Sequence, residues 1–195
     1  MTSDQDAAHI VLTPMTPGRD EEFSEMLEEF RVAGEYHVYD GNFAVAWQGY
    51  AGFYELLSRM KAGGYPRPDI VPMDSCFIES HGVILGEVYI RHWLNSHLEQ
   101  IGGHVGYKVR PSARNRGVAT AALRLALTKL ASLGVDRALV TCNTTNTASA
   151  KVIERLRRST HRRRSNRRPH RTPLLDRHRT RSLSPLALSA SSLHF

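Results

Sequence analysis

The stretch GHVGYKVRPSARNRGVATAALRLALTKLASLGVDRALVTCNTTNTASAKVIERL, residues 103–156, decides the fold. His104 to Arg110 reads as a strand, and Pro111 ends it. A short polar loop, SARNRG, follows. Ala119, Leu123, Ala126, Leu127, Leu130 and Leu133 then recur at helical spacing, the apolar stripe of a helix laid on a sheet, and Gly134 supplies the stop. Arg137 to Cys142 reads as a buried strand, and Thr147 to Leu156 as a further helix with Asn146 at its N-cap.

The loop between the first strand and its helix has the chemistry of an anion site. Amides at a helix start have no intrahelical acceptor and sit at the positive end of the macrodipole. Gly117 lets the backbone approach a ligand, and Arg114 and Arg116 add full charges. A diphosphate fits such a loop. An ordinary solvated connection carries the same residues, so loop chemistry alone leaves both readings open.

Two motifs in register add to this. Arg114, Asn115, Arg116, Gly117, Val118 and Ala119 resemble the Gln/Arg-x-x-Gly-x-Gly/Ala loop of the GNAT-type N-acetyltransferase superfamily, and Asn146 to Leu156 resembles the Asn-x-x-Ser-x-Lys helix after its fifth strand. The longer string RHWLN…GGHVGYKVRPSARNRGVA is similar to a group of bacterial predicted acetyltransferases. The resemblance covers about residues 74–156, with a looser match back to Ile10. It implies an α/β (α+β) acyl-CoA N-acyltransferase fold, a mixed, mainly antiparallel sheet flanked by helices. It also implies acetyl-CoA as co-substrate and an amine as acceptor. Backbone groups of Tyr107, Lys108 and Val109 are then expected to hold the pantetheine and the acetyl carbonyl. The amides of Arg116 to Thr120 are expected to hold the diphosphate, with Asn146 and Ser149 adding contacts from the following helix.

Upstream, strands and helices alternate. Ile10 to Thr13 reads as a strand, Asp20 to Ala33 as a helix with acids in its first turn, and Tyr50 to Lys61 as a second helix. Ser75 to Glu79 and Val83 to Trp93 make a hairpin around His81-Gly82. Acetyl transfer to an amine needs a base for the amine proton. Glu87, a carboxylate in mid-strand, and His104, at the opening of the presumed cofactor strand, are the candidates; a salt-bridged carboxylate and a structural histidine are the plainer alternatives. Many members of the superfamily carry a Tyr seven residues after the Asn to protonate the leaving thiolate. That position here is Ile153. Tyr36, Tyr39, Phe43 and Trp47 read as packing, and the acceptor itself is not legible.

Composition bounds the rest. The chain of 195 residues has a net charge of +7, which looks like a nucleic-acid signature until it is divided. Residues 1–156 carry 15 Lys and Arg against 18 Asp and Glu, whereas residues 157–195 carry 11 Arg against one acid, Asp176. The expected organisation is therefore an acetyltransferase domain over 1–156 and a disordered Arg/Ser-rich tail over 157–195. The rival reading is a destabilised remnant of such a domain whose tail binds nucleic acid or acidic surfaces without sequence preference. The tail's only aromatic is Phe195, which argues against base stacking and a specific nucleic-acid partner. Two cysteines, Cys76 and Cys142, suit neither a disulfide framework nor a metal site. No apolar run is long enough to span a membrane, and the polar start lacks the pattern of a signal peptide, so a cytoplasmic location is expected, with homodimerisation left open.

The family continues past this point with Gly-Gly or Gly-Phe and a final hairpin, which the tail lacks. Leu-Arg-Arg-Ser written CTC-CGG-AGG-AGT becomes, without one C, CTC-GGA-GGA-GT, or Leu-Gly-Gly followed by Val. A shifted frame through Pro-Leu-Leu-Asp-Arg-His likewise admits Arg-Tyr-Trp-Ile-Asp. The expectation is a frame change near Leu156, with the final strands missing and the edge of the Arg137–Cys142 strand unpaired.

Overall fold

The structure is a computed structural model that describes residues 9–63, 70–165 and 190–194, with side chains as far as Arg157. Strand β1 (Val11–Pro14) leads to helix α1 (Asp20–Val32), two 3-10 segments (Tyr36–Tyr39 and Gly41–Gln48) and helix α2 (Tyr50–Lys61). The hairpin β2 (Met73–Ser80) and β3 (Val83–Arg91) follows, then a short helix α3 (Ser96–Gln100) and strand β4 (Val105–Val109). Helix α4 (Val118–Ser132), strand β5 (Leu139–Asn143), helix α5 (Thr147–Ser165) and strand β6 (Ala190–His194) complete the order.

Strands β1 to β4 form one antiparallel sheet in the order of the chain. Alternation along the strands divides their side chains between two cores. On one face Ile78, Val88, Ile90 and Val105 meet Val118, Ala122, Leu123 and Ala126 of α4, with Val140 of β5 and Ile153 of α5. On the other, Phe77, Ile84 and Tyr89 meet Phe23, Met26 and Phe30 of α1 and Phe53, Leu57 and Met60 of α2. Each fully buried Val, Leu, Ile, Phe or Met among these is worth about 1.5–3 kcal/mol, so the two layers are what hold β4 and the start of α4 in place.

The C-terminal region departs from the sequence reading at two points. Helix α5 continues past Leu156 to Ser165. Strand β5 does not keep an open edge: Ala190–His194 pairs antiparallel along it, from Leu139 opposite His194 to Asn143 opposite Ala190. Ladder bonds are backbone bonds, so an exposed edge accepts an extended segment whose side chains carry no strand pattern. The rest of the Arg-rich tail, residues 166–189 and 195, lies outside the described residues, as do the frame change and disorder read there. No helix among the described residues is long and apolar enough to cross a membrane.

Candidate active site

The edge of β4 away from β3 decides the geometry. Arg91 N–H donates to the carbonyl of His104 at 2.8 Å, and Arg110 N–H to that of Leu85 at 2.9 Å, at either end of the β3–β4 ladder. The backbone groups of Gly106 and Lys108, which share their parity, are therefore turned toward β3, and those of Tyr107 and Val109 away from it. No strand among the described residues pairs that outer edge. Strand β5 joins only before β4 begins: His104 N–H donates to Leu139 O at 2.7 Å, Leu139 N–H to His104 Nδ1 at 2.9 Å, and Gly102 N–H to Thr141 Oγ1 at 3.0 Å. Gly103 permits this joint, because its φ is +58° and a Cβ there would lie 2.5 Å from Leu139 O.

The open edge runs into the loop. Asn115 (φ 60°) and Gly117 (φ 77°) are both left-handed, and Gly117 is the N-cap of α4. The first bond of the helix is Ala121 N–H to Gly117 O, so the amides of Val118, Ala119 and Thr120 have no intrahelical acceptor. Arg116 is exposed beside them. Arg114 is placed otherwise than its sequence suggested. Its Nη1 and Nη2 pair with Glu35 at 2.7 and 2.6 Å, its Nε donates to Val109 O at 3.1 Å, and its guanidinium lies 5.8 Å from the centre of the Phe30 ring. Arg110 and Ser112 bind Glu29 in the same way. The end of α1 is thus fastened to the loop at two carboxylates. The Arg114 bond holds the Glu35 carboxyl below its usual range; burial pushes Glu29 up, and its bonds to Arg110 and Ser112 outweigh that.

On the face of the sheet toward α1 and α2, Glu87 is wholly buried and its carboxylate is surrounded. Tyr39 Oη donates to it at 2.7 Å, Tyr89 Oη donates to its other oxygen, and Lys108 Nζ, from the position opposite on β4, stands 3.4 Å away. Lys108 Nζ also lies 3.6 Å from the centre of the Tyr39 ring. Burial lowers the pKa of Lys108 while Glu87 raises it, and burial beside the carboxylate raises both tyrosines well above their usual value. A carboxylate that accepts from two hydroxyls and faces an ammonium is held in one position and linked to groups that relay protons.

The structure separates the remaining candidates. His104, just before β4 and four residues from Lys108 in the chain, accepts the Leu139 N–H on Nδ1, so that lone pair is occupied in joining this strand to β5. Of the backbone groups assigned to the pantetheine, the parity of the ladder leaves Tyr107 and Val109 and removes Lys108, whose amide faces β3. Asn146 caps α5 by accepting the Ser149 N–H at 3.0 Å. The Tyr107 hydroxyl is buried with the Ser149 hydroxyl beside it; burial raises its pKa, and the Ser149 hydroxyl opposes that. Ile153 is buried in the core and offers no proton. Tyr39 and Lys108 are side chains of this cluster that the sequence suggested only as packing and as backbone contact. The signal available for Lys108 was its parity with Glu87 across the hairpin and the following strand. No group of His, Cys, Asp and Glu among the described residues gathers as a metal ligand set.

Comparison with known proteins gives one positive result. The family described as acetyltransferase (GNAT) domain matches residues 3–157, most of the chain. No curated protein matches.

Proposed function

Because the chain belongs to the GNAT acetyltransferase family, we propose that it transfers the acetyl group of acetyl-CoA to the amine of an acceptor. The observation that carries this reading is the pair of amide groups turned away from their own ladder and helix, those of Tyr107 and Val109 on the open edge of β4 and those of Val118, Ala119 and Thr120 at the start of α4. The pantetheine arm has two amides spaced along an extended chain, and an unpaired strand edge is the partner such a chain needs. The diphosphate is served by the helix start, with the exposed Arg116 and the side chain of Asn146 at hand.

When bound, acetyl-CoA supplies an acyl group activated as a thioester. The remaining requirements fall to the protein. A C–N bond forms, the C–S bond breaks, and one proton passes from nitrogen to sulfur. Glu87 takes the proton of the amine, directly or through the Tyr39 or Tyr89 hydroxyl that bonds it. Lys108 and the two tyrosines keep the carboxylate in place and exclude water from it. A backbone N–H on the outer edge of β4, that of Tyr107 or Val109, is available to the acyl oxygen as charge develops there. His104 keeps β4 and β5 joined below this edge.

Isothermal titration of the full chain tests the reading. Acetyl-CoA and CoA are expected to bind one per chain with affinities within a few-fold of each other, because the diphosphate and pantetheine contacts are common to both. Absence of binding by either would show that the open edge and the helix start serve something else.

A further inference from the structure

Helix α5 runs on to Ser165, past residue 157, where the match to the acetyltransferase domain ends. Its 19 residues hold seven Lys and Arg against one acid, Glu154. Ile153 and Leu156 are buried in the core, and after Leu156 the helix has no further apolar residue. Lys151 and Arg155 are exposed, and neither makes an ion pair with another of the described residues. At about 100° per residue, positions 158 and 162, both arginine, fall on the same line of the helix as 151 and 155. The four lie within a sector of about 60°, on the side opposite Ile153 and Leu156, and Glu154 is off that line. They make a row of cationic positions about 16 Å long at 1.5 Å rise per residue.

We propose that this row docks on the phosphate backbone of a nucleic-acid duplex, a binding function additional to acetyl transfer. Charge complementarity carries the inference. A duplex presents one negative charge per about 1.7 Å of its axis, and each phosphate that a cation neutralises releases condensed counterions. Residues 1–156, with 18 Asp and Glu against 15 Lys and Arg, repel a duplex in sum and leave the outer side of α5 as the face that attracts it. An anionic membrane offers the same sign of charge, but a helix that lies in a membrane buries an apolar face there. The apolar residues of α5 are already packed in the core. Residues 157–165 include no Asn, Gln, Phe, Tyr or Trp, so the contact is to the backbone and carries little sequence preference.

Fluorescence anisotropy of the full chain with a labelled duplex of about 20 base pairs and arbitrary sequence reads the contact, with salt as the variable. Log affinity is expected to fall linearly with log salt. The fourfold variant Lys151→Gln, Arg155→Gln, Arg158→Gln and Arg162→Gln should make that slope shallower by about 3–4, at about 0.9 per phosphate contact, and lower the affinity at about 50 mM salt by tenfold or more. Glutamine keeps the helix propensity of these positions. The double variant Lys151→Gln with Arg155→Gln, confined to the packed part of the helix, should give about half the change in slope and tests the row even where the fourfold variant is destabilised. Lysine at 155, 158 and 162 should preserve the slope, since a phosphate accepts a point charge. Changing four arginines beyond the helix, Arg167, Arg168, Arg177 and Arg179, to Gln should move the slope by less than half as much as the fourfold change in the helix. Equal losses from the two sets would show that the duplex answers to total charge and not to this row, and would overturn the proposal. So would the absence of duplex binding, a slope unchanged in the helix variants, or binding to phosphatidylserine vesicles that survives salt at which the duplex is released.

Discussion

Gly117→Val is expected to abolish measurable binding of CoA and acetyl-CoA, a loss of two orders of magnitude or more. Gly117 adopts φ 77° at the N-cap of α4, and the amides of the next three residues follow from that turn. A β-branched residue is a steric outlier there and strains the backbone by about 1–2 kcal/mol unless the loop rearranges. Rearrangement turns the amides of Val118, Ala119 and Thr120 away from a common point. Each hydrogen bond to a charged oxygen contributes about 1.5–3 kcal/mol, and losing two accounts for the expected effect. Thermal stability should fall by no more than the strain itself, because the apolar stripe of α4 stays packed. Unchanged affinity in a folded Gly117→Val protein would remove the loop from the binding site.

Glu87→Ala is expected to cost about 3–5 kcal/mol of stability, a large part of the roughly 5–15 kcal/mol that holds a domain together. The substitution leaves the Lys108 ammonium buried without its carboxylate and strips two tyrosine hydroxyls of their acceptor. Glu87→Gln keeps the shape and one carbonyl acceptor, so it should fold, and acetyl transfer should fall by about 10²- to 10⁴-fold, the range for loss of a positioned base. The double variant Glu87→Leu with Lys108→Met separates the two effects. Replacing both charges together removes the unpaired ammonium, so urea denaturation should recover part of the loss seen in Glu87→Ala, the rest staying with the two tyrosine hydroxyls that still lack an acceptor, while turnover stays lost. A Glu87→Gln protein with full activity would show that the amine proton leaves by another route.

The order of the elements was legible because their apolar spacing is strong. The helix expected over Tyr50 to Lys61 has those bounds, that expected over Asp20 to Ala33 ends one residue earlier, and the hairpin around His81-Gly82 is present. The 3-10 segments from Tyr36 to Gln48 were not legible, since their order comes from contacts distant in the chain, such as Tyr39 with Glu87, and from Trp47 Nε1 closing on Tyr39 O at 3.0 Å. The shape of the loop before α4 could be read because it is local: a glycine in the left-handed region and a helix start directly after it. Glu87 was legible as an oddity, a carboxylate among apolar neighbours in a strand. Its environment was not, because Tyr39 comes from 48 residues away and Lys108 becomes its neighbour only through register. Arg114 misled for the same reason, its partner Glu35 standing 79 residues earlier in the chain. Strand β6 had no side-chain pattern to find.

The central claim is that acetyl-CoA lies along the outer edge of β4 and against the start of α4. Titrating acetyl-CoA into the uniformly ¹⁵N-labelled chain and following backbone amide resonances tests it most directly. The account predicts that the largest shifts fall on Tyr107, Val109, Val118, Ala119 and Thr120. Gly106 and Lys108, whose amides are engaged with β3, should move less. Saturable shifts that leave these five amides in place and gather elsewhere, or an alternation along β4 of the opposite parity, would contradict it.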